Sequence, residues 1–235
     1  MKNSKVFIAC DTSNLNFVKK IIKQTKTNRL KIIPKFGLQF FYSKHGRKYL
    51  EKIKSNFFLD LKINDINQTA LSAIESLKDL KKCEYITVHA NGGLEMLKAV
   101  KKKATKINKN LKILGVTILT SLNNKSLKEI GYTKKVEQLV LQQAGLINKA
   151  GLHGVVLSAK ESKIVRNKYK NLFIVTPGIR LPGDKIDDQV RVVTPYEALN
   201  KNKVNAIVMG RSLIRGDIKK NVKRLIDHLN KWSNK

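Results

Sequence analysis

The sequence predicts a single (β/α)8 barrel occupying residues 1–235, and three observations point to it. Short β-branched runs alternate with longer amphipathic stretches along the whole chain. Several of those runs (VFIAC, YITVHA, AIVMG) are apolar almost throughout, as strands covered by helices on both faces must be. No linker or change of composition divides the chain, so the βα units belong to one closed parallel sheet. With 235 residues and 42% apolar content, the chain is long and apolar enough to bury a barrel-sized core.

Taken in order, strands are expected at 5–11, 30–37, 57–63, 85–90, 111–119, 154–158, 172–177 and 205–210. Between them, helices are expected at 14–26, 38–53, 68–81, 93–106, 135–150 and 217–231. In the 135–150 segment Val136, Leu139, Val140, Gln143 and Ile147 recur at helical spacing. Pro34 falls inside the second strand and removes a ladder hydrogen bond, so an irregularity is expected just before Lys35. An open doubly wound sheet is the competing architecture, but no GxGxxG follows the first strand.

A barrel of this kind carries its reactive groups at the C-terminal ends of the strands. Polar residues recur at that end here. Asp11 closes the first strand, and Lys35 and Gly37 the second. The third carries Asp60, Lys62 and, just beyond it, Asp65. His89 ends the fourth strand, and Thr120 and Ser121 end the fifth. Pro177, Gly178 and Arg180 follow the seventh, and Gly210 and Arg211 the eighth. Asp60 and Lys62 are two apart on a strand, so both should point into the barrel mouth while Leu59, Leu61 and Ile63 face the helices. Asp11 and Lys35 on the adjoining strands then complete an alternating acid–base array, because an unpaired charge there is costly. A lysine held charged in a dry pocket can serve as a general acid. After strands seven and eight, Gly178, Gly210 and Arg211 occupy the usual phosphate site of these barrels, with backbone N–H groups, a following helix N-terminus and a guanidinium fork. His89 reads as a hydrogen-bonding residue, and Cys10 as packing.

The net charge is +31. The lysines are spread over nearly every expected helix and are not interleaved with aromatics as in a single-strand-binding groove, so they read as solvated faces. A nucleic-acid-binding protein would gather them on one face and would leave the Asp60–Lys62 array without a purpose. An anionic substrate is still attracted at low salt. No apolar run approaches the length of a membrane span, and the stretch before Asp11 is too short for a signal peptide. Cys10 and Cys83 form no CxxC, and reduced thiols in a cytoplasmic protein are expected.

Together these residues resemble orotidine 5′-phosphate decarboxylase. The matching pieces are KFG (35–37), FFLDLKINDINQT (57–69), TVHANGG (87–93), LTS (119–121), VTPGIR (175–180), DDQVR (187–191) and VMGRS (208–212), in family order over nearly the whole chain. The resemblance implies a homodimeric barrel that converts orotidine 5′-phosphate to UMP in pyrimidine biosynthesis, with no cofactor and no metal. It implies that Lys62 donates the proton that quenches the C6 carbanion, and that Asp60 sits against the substrate carboxylate. Lys35 and Asp11 would contact the ribose. Thr69 would lie near the ribose at the interface, and Asp65 would enter the partner subunit's site. Thr120 and Ser121 would read the pyrimidine. Pro177, Arg180, Gln189, Gly210 and Arg211 would hold the phosphate end, with Gln189 on a loop starting near Leu181.

The chain departs from the family pattern at NDINQT, where many relatives read HDIPNT, although Asp65 and Thr69 are retained. Sugar-phosphate enzymes of the same superfamily share Asp-x-Lys-x-x-Asp, but they use Mg2+ and usually carry an acid at the position of Lys35. A lysine there argues against a metal.

Overall fold

The computed structural model describes residues 5–184 and 192–231. The apolar runs form eight strands: β1 (Lys5–Ala9), β2 (Lys31–Gly37), β3 (Phe57–Ile63), β4 (Cys83–His89), β5 (Lys112–Val116), β6 (Gly154–Val156), β7 (Phe173–Thr176) and β8 (Ala206–Met209). They pair in parallel in chain order, and β8 returns to β1 from Lys5↔Ala206 to Ile8↔Met209, closing the barrel that the sequence predicts.

Helices pack outside it: α1 (Leu15–Gln24), α2 (Leu38–Phe41), α3 (Gly46–Lys52), α4 (Asn67–Glu75), α5 (Gly93–Ile107), α6 (Asn124–Glu129), α7 (Val136–Lys149), α8 (Ala159–Lys168), α9 (Arg211–Ile214) and α10 (Ile218–Asn230). Local chemistry sets several of their starts. The Asn14 side chain accepts the Phe17 N–H at 3.0 Å ahead of α1, and Asp217 accepts that of Lys220 at 3.0 Å ahead of α10. The single helix expected over 38–53 is two. The chain turns at Ser43, whose hydroxyl donates to the Phe40 carbonyl at 2.7 Å. Gly46 lies against that same carbonyl with no room for a Cβ, so only glycine permits the second start. None of the described helices is long and apolar enough to cross a membrane.

Two apolar layers result from the alternation of side chains along the strands. Phe7, Ile33, Phe58, Tyr85, Leu114, Val175 and Ala206 fill the barrel interior. The intervening residues, such as Ile8, Phe57, Leu59, Ile86 and Ile113, pack outward against the helices. Edge-on contacts of Phe7 with Phe58 (4.8 Å between centroids) and Tyr85 (5.1 Å) make the interior a packed plug. Below it Lys5 donates to the Tyr85 hydroxyl at 2.6 Å. Above the plug, the next inward-facing positions form the floor of the site.

The irregularity expected at Pro34 is not on the β1 side, where the register runs unbroken through Ile8↔Pro34 to Ala9↔Lys35. Pairing of β2 with β3 begins only at Lys35↔Phe58, immediately after the proline. The larger irregularity lies in β3. Leu59 pairs with Ile86 and Ile63 with Val88, so β3 spends extra residues between them. Lys62 sits inside this bulge with φ at 50°, a left-handed conformation uncommon for a non-glycine residue.

Candidate active site

At the C-terminal end of the barrel a cavity of about 480 Å³ opens above the plug, a volume suited to a small ligand. Its walls are largely apolar, from Ala9, Phe58, Val116, Val156 and Val208, and its polar groups, Thr120 apart, cluster in two places. One cluster comes from β1, β2 and β3. The other comes from the loops after β7 and β8.

The first cluster is a chain of alternating charges. Lys35 Nζ lies 3.2 Å from Asp11 Oδ1 and 3.2 Å from Asp60 Oδ2, and Lys62 Nζ lies 3.0 Å from Asp60 Oδ1. Gly37 leaves room beside it, since a Cβ there would meet Asp11 Oδ1 at 2.8 Å and push that carboxylate from its place. Exposure separates the two lysines: the Lys35 side chain is 6% exposed and that of Lys62 is 36% exposed. Lys35 is therefore the buried tie of the array, and Lys62 presents the ammonium that a bound molecule can reach. Burial works against the charge of Lys35, but the carboxylates of Asp60 and Asp11 outweigh it and hold its pKa above the ordinary value. Burial likewise opposes ionisation of Asp60, yet the Lys35 and Lys62 ammoniums pull its pKa down to about 2. At neutral pH Asp60 is thus an anion fixed inside a poorly solvated mouth, where fields are strong.

The expected meeting of Asp60 and Lys62 does occur, and Leu61 and Ile63 do pack on the outer apolar layer. Regular alternation is not the cause. The bulge and the left-handed Lys62 backbone bring the ammonium back over Asp60. Thr87, the first residue of TVHANGG and one given no role from the sequence, stands beside the bulge on β4. Its hydroxyl donates to Asp60 Oδ1 at 2.9 Å and accepts the Lys62 backbone N–H at 2.9 Å. The signal was present in the sequence: Tyr85, Thr87 and His89 alternate along β4, so Thr87 had to face the mouth beside Asp60.

In the second cluster Pro177, Gly178, Arg180, Gly210 and Arg211 all line the cavity. Gly178 has φ at 76°, which a residue with a Cβ rarely adopts. Helix α9, which begins at Arg211, is only four residues long. Its dipole is correspondingly slight, so attraction of an anion falls to the guanidinium groups and backbone N–H groups.

A family model described as the orotidine 5'-phosphate decarboxylase / HUMPS family matches residues 4–225. The chain belongs to this family. A relative named orotidine 5'-phosphate decarboxylase from Wolbachia pipientis subsp. Culex pipiens is 39% identical, covering 88% of this chain and 90% of its own. Another of that name, from Carboxydothermus hydrogenoformans, is 38% identical over 90% of each chain. The solved structure of orotidine 5'-phosphate decarboxylase from Lactobacillus acidophilus superposes with a TM-score of 0.82, at 28% identity, over 97% of this chain and 99% of that one.

Every site residue named from the sequence lies within the span matched to the orotidine 5'-phosphate decarboxylase / HUMPS family. The fold does not bring all of them to one cavity. Thr120 lines it, whereas Ser121 is exposed and is not among its lining residues. β5 ends at Val116, short of the 119 expected, because Thr117 turns to Val156, donating through both its N–H and its hydroxyl at 3.1 Å. Asp65 and Thr69 are also exposed and outside the cavity. Asp65 borders a separate shallow hollow shared with Asn64, Ile66, Asn67, Gln68, Asn91 and Gly92. Gln189 falls outside the described residues. His89 accepts the Asn91 N–H through Nδ1 at 3.3 Å, and burial, aided by Lys62, lowers its pKa, so it stays a neutral hydrogen-bonding group. Cys10 is fully buried among apolar residues, and burial pushes its thiol up to about 12.

Proposed function

We propose that the protein decarboxylates orotidine 5′-phosphate to UMP without a metal or cofactor, with Lys62 delivering the proton to C6. The observation that carries this reading is one cavity with a reachable ammonium, backed by an ionised carboxylate, on one side and Arg180 with Arg211 on the other. The phosphate binds between Arg180, Arg211 and the Gly210 backbone, with Pro177 and Gln189 completing that end. Asp11 and Lys35 take the ribose, and Thr120 faces the pyrimidine, with Ser121 beside it at the rim. Asp60 then stands against the substrate carboxylate. As the C6–carboxylate bond breaks, carbon dioxide leaves and the electron pair stays on C6. That pair takes a proton from the Lys62 ammonium, leaving an amine that solvent reprotonates. Phosphate binding far from the reacting carbon supplies energy that holds the ring against Asp60 and Lys62.

The position that a metal would otherwise stabilise is already held by a cation, since Lys35 bridges Asp11 and Asp60. UMP formation from orotidine 5′-phosphate should therefore proceed undiminished in excess chelator. Turnover that stops on chelation and returns with Mg2+ would instead favour a metal-dependent sugar-phosphate chemistry.

We also read the protein as a homodimer in which Asp65 and Thr69 complete the neighbouring subunit's site. In support, the whole 64–69 segment is exposed, and Ile66 is an uncovered large apolar residue at 73%. Subunit mixing tests this. Lys62→Ala and Asp65→Ala proteins should each be nearly inactive, yet regain activity when exchanged into mixed dimers, where one site has both groups intact. No recovery in verified mixed dimers would return Asp65 to its own subunit's site or remove it from the chemistry.

A further inference from the structure

We propose that Thr87 is a positioning residue that ties the carboxylate of Asp60 to the backbone of Lys62, keeping the two groups at one spacing while a proton leaves Lys62. The inference rests on the decarboxylase reading of this site. A threonine hydroxyl has one proton to give and lone pairs to accept with. Thr87 uses both on the reacting apparatus: it donates to Asp60 Oδ1 at 2.9 Å and accepts the Lys62 N–H at 2.9 Å. The residue is fully buried, so water does not substitute for either bond.

Both bonds fall where the β3–β4 ladder is interrupted. Lys62 has φ at 50° inside the β3 bulge, where pairing with β4 is interrupted between Leu59 and Ile63. A non-glycine residue persists in that conformation only when its surroundings over-determine it. The Lys62 N–H has also left the regular ladder and needs an acceptor. The Thr87 hydroxyl, from the neighbouring strand, meets both needs.

The division of labour on Asp60 points the same way. Oδ2 is held by Lys35, whereas Oδ1 takes both the Lys62 ammonium at 3.0 Å and the Thr87 hydroxyl. When the ammonium gives its proton to carbon, it becomes an amine and its attraction to Oδ1 collapses. Thr87 is then the donor that stays on Oδ1, and through the backbone it keeps Lys62 in place for reprotonation. The role belongs to the hydroxyl and not to the bulk of the side chain, because valine fills the same volume in this interior position.

The decisive comparison is therefore Thr87→Val against Thr87→Ser, with the wild type assayed alongside. Thr87→Val should lower kcat by about 10²-fold, as expected for a lost hydrogen bond to a charged group together with a loosened proton donor. KM should change little, and Thr87→Ser should recover most of kcat. A Thr87→Val protein with wild-type kcat would overturn the proposal, as would a Thr87→Ser protein equally impaired. NMR gives a readout that needs no turnover: in Thr87→Val, and in Thr87→Ala should the valine variant fail to fold, the Asp60 carboxyl should titrate higher and the Lys62 amide should exchange faster. Unchanged titration and exchange would also overturn it. A wild type that fails to decarboxylate orotidine 5′-phosphate, with those NMR shifts present, would sink the decarboxylase reading and leave the tether standing.

Discussion

Lys62→Ala is expected to lower kcat for orotidine 5′-phosphate by roughly 10²–10⁴-fold or more, the usual range for removing a general acid. KM should move far less, because the phosphate grip proposed for Arg180 and Arg211 is untouched. The side chain is 36% exposed into the cavity, so its removal leaves no void in the packed interior. Asp60 retains Lys35 and Thr87 as partners, and the fold should persist. Steady-state assay of UMP formation, with circular dichroism as the control for folding, checks this. A folded Lys62→Ala protein with near-normal kcat would assign the proton to another donor.

Lys35→Met is expected to damage the fold as well as the chemistry. Its ammonium is the buried link between Asp11 and Asp60, at 3.2 Å from each. Removing one partner from a buried charge pair typically costs about 3–5 kcal/mol, since the remaining charge is left poorly compensated. The loss should depend on pH with a definite sign. The Lys35 and Lys62 ammoniums hold the Asp60 pKa down to about 2 in the folded protein, below its ordinary value of 3.8. A carboxylate with a depressed folded pKa contributes stability that is full above the unfolded value and disappears as pH falls through the folded one. Without Lys35 the Asp60 pKa rises and that contribution shrinks. Urea denaturation should therefore show the widest gap between wild type and Lys35→Met near pH 7, narrowing as pH falls below 3.8 toward 2. A gap that is constant across that range would mean that Asp60 does not depend on Lys35 for its charge.

Much of this architecture is legible in the sequence because strand burial and reactive-group placement both leave periodic traces. The apolar runs mark the barrel, and polar residues at Asp11, Lys35, Asp60, Arg180 and Arg211 mark the mouth. What escapes is what depends on tertiary geometry. The break between α2 and α3 follows from a close approach of Gly46 to the Phe40 carbonyl, which no hydrophobic period records. Helix α8 (AKESKIVRNK) has few apolar residues and offers little stripe to read, although the barrel needs a helix there. The Asp60–Lys62 meeting is expected from strand alternation, yet it is produced by a bulge with a left-handed lysine. The same bulge brings the Thr87 hydroxyl against both residues, a pairing that strand alternation alone does not record.

The central claim is that a bound nucleotide lies across one cavity, with its reacting carbon at Lys62 and its phosphate at Arg180 and Arg211. A crystal structure of the protein with UMP tests it directly. The expected result is C6 within about 3.5 Å of Lys62 Nζ, a distance fit for proton transfer, with the phosphate on both arginines. A pyrimidine ring seated away from Lys62, or a phosphate resting on the Lys35–Lys62 array, would contradict it.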